Sequence, residues 1–281
     1  MRCYVLCLIF ERGENMFIKH RQAPHNSPDT KATSQIARYL AVIMLVVFLS
    51  GCSTLLGQVP MDVLTYKNPN KAANNQKLIV FLRGIGGSHS SFEEEGLVAE
   101  VWAHNLPFDM VAPDAHFGYY GDRNLVMRLK KDLIDPARAS GYQKIWLVGV
   151  SMGGLGAMLY LREWSQDIDG VYLISPFLGS QFFLNEIESA GGARKWDPGT
   201  YKAEEDWQRM LWHWMKTSLA DNPKKIVYLG YGTEDPFRSA PQLLAGLLPP
   251  NRVYAIAGGH DYHTAKALWK IFLENNRQLR N

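Results

Sequence analysis

The pattern best suited to chemistry is Gly149-Val150-Ser151-Met152-Gly153. A serine hydroxyl attacks a carbonyl carbon only when a neighbouring base can take its proton. Five residues alone say little, so the setting decides. Ile145-Trp146-Leu147-Val148 reads as a buried strand, and Gly154-Leu155-Gly156-Ala157-Met158-Leu159 as a helix start made of small residues. A sharp strand–turn–helix with serine at its tip is the nucleophile-elbow arrangement. The glycines at 149, 153 and 154 remove side chains that would collide in such a turn. Ser151 then projects at a helix N-terminus, where N–H groups and the macrodipole favour negative charge. The plain alternative is an inert serine in a Gly-rich turn.

Three further segments hold candidate partners. Leu82-Arg83-Gly84-Ile85-Gly86-Gly87 is a glycine-rich loop, but no Gly-Lys-Ser/Thr follows it, which disfavours nucleotide binding. Arg83 is either solvated or salt-bridged, or it holds a carboxylate or phosphate of a substrate. Tyr228 to Phe237 contains Asp235, and Val253 to Asp261 contains His260. Each follows a strand pattern, where ligand sites of parallel sheets gather. Glu234 stands beside Asp235, His263 is a rival base, and Asp261 is a rival acid better suited to capping the next helix. Asp114 reads as a turn residue; the alternative is that it lines the site with Tyr119 and Tyr120. His89, His104, His116 and His213 show no metal-ligand spacing.

These residues need a frame. Apolar runs at Leu78–Leu82, Met110–Ala112, Ile145–Val148, Val171–Ile174, Ile226–Leu229 and Val253–Ile256 read as strands, with a short edge strand at Val63–Tyr66. Helical patterns lie between them near Phe92–Ala103, Leu125–Ala139, Leu155–Trp164, Pro241–Leu248 and Thr264–Leu273. Alternation of this kind predicts an α/β fold with a mostly parallel, doubly wound sheet. Residues 179–223 lack a strand candidate, and a connection of that length in a compact domain has structure of its own. Trp207, Met210, Leu211, Trp214 and Met215 fall on one face of an amphipathic helix, which predicts a helical cap over the sheet's active edge. Trp207 and Trp214 read as cap packing; Trp212, off that face, reads as a pocket wall.

Taken together these motifs resemble the α/β-hydrolase superfamily over about residues 76–275. The resemblance implies a triad in the order Ser151, Asp235, His260, with Asp235 in a Gly-x-x-Asp turn and His260 after the terminal strand. It implies an oxyanion hole made by the N–H groups of Ile85 and Met152. Members often carry His-Gly-x-Gly-Gly where this chain has Arg83, so the packing of that loop departs from the pattern. The implied activity is hydrolysis of a small-molecule ester or thioester through an acyl-enzyme, with neither cofactor nor metal. Tyr119 and Trp212 are the candidate substrate contacts. Acyl transfer, or a non-catalytic binding module on the same fold, are the alternatives.

The start of the chain points to an envelope address. Leu40 to Leu49 is an unbroken run of ten apolar residues, with Lys31 and Arg38 before it. A bilayer-spanning helix needs about 20, whereas ten suits a signal peptide. The run ends in Leu49-Ser50-Gly51-Cys52, which resembles the bacterial lipobox and implies cleavage before a lipid-modified Cys52. The expected layout is a leader over 1–51, a tether over 52–75 and a catalytic domain over 76–281. The expected location is the bacterial cell envelope, membrane-anchored on the periplasmic side, with the outer membrane as one option. An uncleaved anchor or a chance tetrapeptide is the alternative, and Met16 is an alternative start. Six of the 30 Lys and Arg residues and three of the 27 acids lie in 1–51, so the rest carries 24 of each. That balance gives no electrostatic case for nucleic acid. With Cys3 and Cys7 in the leader, Cys52 alone would remain, which rules out an internal disulfide or a Cys-rich zinc site.

Overall fold

The computed structural model describes residues 59–69, 76–220, 222 and 224–279. The leader, Cys52 and most of the tether lie outside the described residues. Every described element belongs to the unit Cys52–Asn281, and none of its helices is long and apolar enough to cross a membrane.

Seven strands form one sheet: β1 (Val63–Tyr66), β2 (Lys77–Leu82), β3 (Asp109–Pro113), β4 (Lys144–Val150), β5 (Gly170–Ile174), β6 (Val227–Gly232) and β7 (Val253–Ile256). Their order is β1-β3-β2-β4-β5-β6-β7. β1 pairs antiparallel with β3, and every other pair is parallel.

The strand period of two explains why these runs are apolar throughout. In β2, Leu78, Val80 and Leu82 enter one core while Ile79 and Phe81 enter the other. Ile145 and Leu147 of β4 likewise face away from Trp146 and Val148. Helices cover both faces. α1 (Leu97–Ala103) and α6 (Tyr262–Asn275) pack Val98, Val101, Leu268, Trp269 and Phe272 on one side. α2 (Met152–Glu163) and the helical stretch 125–139 cover the other. That stretch is one continuous rod in which a π turn, Leu129–Ile134, separates two α segments.

Residues 179–223 carry two helices, α3 (Gln181–Ser189), which the sequence did not single out, and α4 (Trp207–Trp214), continued by a π turn at Met215–Leu219. α5 (Ser239–Ala245) follows β6. The inserted segment is held by charge and rings together. Arg209 of α4 makes two hydrogen bonds to Glu186 of α3, at 2.7 and 2.8 Å. The indole N–H of Trp196 donates to the same carboxylate at 2.8 Å, and the Arg209 guanidinium lies 5.5 Å from the Phe183 and Trp196 rings.

The core-facing seam of α4 differs from the sequence expectation. Leu211, Trp212 and Met215 are buried, while Trp207 and Trp214 are only partly so. Gln208, partly buried, accepts the backbone N–H of Ser180 at 2.5 Å. Trp212 joins Leu211 and Met215 on the seam because its indole N–H finds an acceptor in the core, which hydrophobicity alone does not foresee. Trp212 is therefore no pocket wall: it has no exposed surface, and its indole N–H donates to the Leu178 carbonyl at 2.8 Å.

Candidate active site

The strand order reverses direction at β2, which lies between β3 and β4. Ligand sites of open parallel sheets form at such a switch, outside the C-terminal ends of the strands. The segments that leave that edge include Arg83–Gly87 after β2, Ser151 after β4, Thr233–Phe237 after β6 and Ala257–Asp261 after β7.

Ser151 has φ 51° and ψ −115°, a region that L side chains rarely occupy. Hydrogen bonds hold it there. Its N–H donates to the Ile174 carbonyl at 3.0 Å, and its own carbonyl accepts from Gly154 and Phe177, each at 2.9 Å. The turn closes so tightly that a Cβ on Gly153 would collide with the Leu82 carbonyl. The sequence Gly-x-Ser-x-Gly thus has a mechanical reason here. Ser151 is the N-cap of α2 and Met152 its first residue, so the Met152 N–H has no acceptor within the helix.

Ser151, His260 and Asp235 lie in line. His260 Nε2 is 3.0 Å from Ser151 Oγ, and His260 Nδ1 is 2.7 Å from Asp235 Oδ2. An ionised carboxylate only accepts, so Nδ1 carries the proton toward Asp235 and Nε2 is left to accept the serine proton. Asp235 has no exposed surface, whereas the His260 side chain is 25% exposed. Burial pushes the Asp235 carboxyl pKa up. Hydrogen bonds from His260, the Phe237 N–H and the Ser175 hydroxyl outweigh that and hold it below the ordinary value. The Phe237 contact is 2.7 Å.

The rivals fall elsewhere. Glu234 and His263 are exposed. Asp261 caps α6, accepting from the Thr264 N–H at 2.8 Å. Asp114 pairs with Arg83 at 2.8 Å, so Arg83 takes its salt-bridged alternative. Tyr119 is buried, its ring against His116 at 4.7 Å, and is a core residue rather than a substrate contact. Its neighbour Tyr120 donates to the Met152 carbonyl at 2.9 Å, and desolvation raises the pKa of that phenol.

The loop after β2 passes beside the nucleophile. A Cβ added to Gly84 would lie 3.3 Å from Ser151 Cβ and 3.9 Å from its Oγ. Ile85 follows, with its side chain 61% exposed. Apolar groups gather around the serine from other elements. Phe237 stands edge-on to His260 at 5.1 Å and is 58% exposed. Phe177, whose N–H bonds the Ser151 carbonyl, lies tilted against Trp207 of α4 with ring centroids 6.3 Å apart.

Sequence reasoning missed Ser175, Phe237 and Phe177. Ser175 had a usable signal, since it directly follows the β5 pattern at the ligand-bearing edge. Phe237 and Phe177 bond Asp235 and Ser151 through backbone N–H groups, which any residue but proline supplies, so residue type gave no signal for those contacts.

Comparison with known proteins follows this geometry. A family model described as alpha/beta hydrolase fold matches residues 77–203. The structure is similar to that of substrate-bound fluorophosphonate-binding serine hydrolase F of Staphylococcus aureus, with TM-score 0.53 and 12% identity, over 79% of this chain and 92% of that one. It is similar to S-formylglutathione hydrolase of the same organism, with TM-score 0.50 and 13% identity, over 73% and 81%. Est1E of Butyrivibrio proteoclasticus with ferulic acid bound gives TM-score 0.50 and 16% identity, over 76% and 94%. No curated protein matches the sequence. The sheet order, the flanking helices and these likenesses define an α/β-hydrolase fold.

Proposed function

We propose that this protein is a serine hydrolase that cleaves carboxylic ester or thioester bonds through an acyl-enzyme. The observation that carries the reading is the relay Ser151–His260–Asp235, with contacts of 3.0 and 2.7 Å. Ser151 Oγ attacks the carbonyl carbon as its proton passes to His260 Nε2. The carbonyl π electrons move onto oxygen, which the N–H groups of Ile85 and Met152 receive. The bond to the leaving oxygen or sulfur breaks as His260 returns its proton to that atom, and Ser151 is left acylated. Water then attacks the acyl carbon, gives its proton to His260, and the carboxylic acid leaves as Ser151 regains its hydrogen. Asp235 holds the imidazole tautomer and offsets the charge of the transient cation.

The exposed apolar side chains of Ile85, in the loop beside Ser151, and Phe237, against His260, favour an apolar acyl or alcohol group on a small-molecule ester. The family match and the names of the similar structures, an esterase-like set, agree with a hydrolase. We also infer that Cys52 is lipid-modified and tethers the domain to the cell envelope, from the apolar run before it and the sequence Leu49-Ser50-Gly51-Cys52. Two or more acyl chains suffice for stable anchoring, at about 0.8 kcal/mol per buried CH₂.

A fluorophosphonate probe tests the chemistry. It should label Ser151 and fail on Ser151→Ala, and the wild type should hydrolyse p-nitrophenyl esters with a preference that rises with chain length. A folded wild type that takes no label ends the hydrolase reading. Metabolic labelling with a fatty-acid analogue, lost in Cys52→Ser, tests the tether separately.

A further inference from the structure

Arg83 stands where the resembling family often has histidine, and its side chain is only 11% exposed. Its Nε donates to Asp114 Oδ1 at 2.8 Å. Its Nη1 donates to the Gly84 carbonyl at 3.3 Å and also to the Gly87 carbonyl. One guanidinium therefore grips both ends of the loop 84–87 and is itself pinned by a carboxylate.

The Gly84 contact matters because of covalent geometry. The Gly84 C=O and the Ile85 N–H belong to one planar peptide unit, and in a trans peptide they point in opposite directions. A cation fixed on the oxygen side turns the N–H away from itself. The same peptide passes beside Ser151, since a Cβ added to Gly84 would lie 3.3 Å from Ser151 Cβ. A positive charge on the carbonyl oxygen also polarises the peptide, which makes its N–H a stronger donor. Arginine suits this task because its planar fork addresses several acceptors at once, which a lysine ammonium on a flexible stem cannot do in the same geometry.

We propose that Arg83, braced by Asp114, is the positioning residue of the oxyanion hole: it aims and polarises the Ile85 N–H by holding the Gly84 carbonyl. This rests on the hydrolase reading above. Arg83 does not touch substrate, so its loss acts only where negative charge develops on oxygen.

The test compares wild type, Arg83→Met, Arg83→Lys and Asp114→Asn on a short p-nitrophenyl ester. Removing one oxyanion donor costs about 10²–10³ in kcat in a studied protease, so misaiming one in Arg83→Met should lower kcat by roughly 10- to 100-fold. KM should stay within about twofold, because ground-state binding does not use this donor. Affinity for a boronic acid inhibitor that mimics the tetrahedral adduct should fall with kcat/KM. Arg83→Lys should recover part of the loss, and Asp114→Asn should show a smaller loss of the same kind. A folded Arg83→Met with wild-type kcat and wild-type boronate affinity overturns the proposal. So does a defect confined to KM, which would mark a loop that merely shapes the pocket. Should Arg83→Met not fold, Arg83→Lys and Asp114→Asn decide by the same two readouts. A wild type that neither takes fluorophosphonate nor turns over any ester overturns the hydrolase reading and this one with it. An active, labelled wild type with an indifferent Arg83 overturns this one alone.

Discussion

Asp235 and His260 are joined by a 2.7 Å hydrogen bond across a steep change of environment: the carboxylate has no exposed surface, while the imidazole remains open on one side. The buried acid is fully committed to its partners, and the exposed base keeps a free edge toward Ser151. The pair thus combines a fixed anchor with an accessible proton acceptor.

Replacing that anchor should be more costly to rate than to structure. Asp235→Asn keeps the shape but removes the acceptor for Nδ1–H, and the corresponding change in a studied triad lowers kcat by about 10⁴. Labelling by fluorophosphonate should slow in parallel while KM changes little. Near wild-type turnover in this variant would remove Asp235 from the relay.

Acid should weaken the fold partly through the same carboxyl. Its folded pKa is lowered, so its contribution to stability is present above the ordinary carboxylate range. That contribution is lost as pH falls through the lowered folded value. Thermal midpoints followed from pH 7 downward should fall less steeply for Asp235→Asn than for the wild type. Parallel curves would count against the shift.

The Glu186–Arg209 clamp between α3 and α4 should behave likewise. Arg209 is the main cause of the lowered Glu186 pKa, so this support too is present above the ordinary carboxylate range and fades at acid pH. Glu186 is 42% exposed, and screening reduces what the pair is worth, so Glu186→Gln should cost about 1 kcal/mol near neutral pH. Chemical denaturation at two pH values measures it. A cost that grows on acidification contradicts the sign.

Trp212 and Phe237 should separate core from mouth. Trp212→Phe leaves the Leu178 carbonyl unsatisfied and the core underfilled, at roughly 1–3 kcal/mol, yet should leave the ester chain-length profile unchanged. Phe237→Ala should do the reverse, altering that profile with a stability change within about 0.5 kcal/mol, as expected of an exposed side chain. A shifted profile in Trp212→Phe would return it to the pocket.

Gly153→Ala tests the elbow. With the Leu82 carbonyl in the way, the added methyl forces backbone to move, and overpacking of this sort costs about 1–3 kcal/mol or more. The variant should lose fluorophosphonate labelling whether or not it still folds. Retained labelling at the wild-type rate would show that the turn has slack.

Particular residues show what could be read from the sequence alone. The inner strand runs were legible because burial on both faces leaves them almost wholly apolar, whereas the edge strands β1 and β7 are only partly buried, and the observed bounds differ from the expected ones by at most a few residues. Ser151, Asp235 and His260 were legible because each follows such a run. Trp212 was misplaced because its core acceptor, the Leu178 carbonyl, is brought to α4 only by the fold. The helix Phe117–Gly121 was missed because it is barely more than a turn long. Arg83 was left between two readings, since only the fold brings Asp114 and the Gly84 and Gly87 carbonyls to one guanidinium. The proposed leader and Cys52 stay a sequence expectation.

The burial of Asp235 bears on how the protein comes into being. A ribosome delivers the strand that ends in Ser151 long before it delivers β6, β7 and α6, which bring the acid and the base. Until those last elements dock, the serine has no partner to take its hydrogen, so on the proposed mechanism a nascent or prematurely terminated chain would be inert. Reactivity would arrive only with completion of the polypeptide.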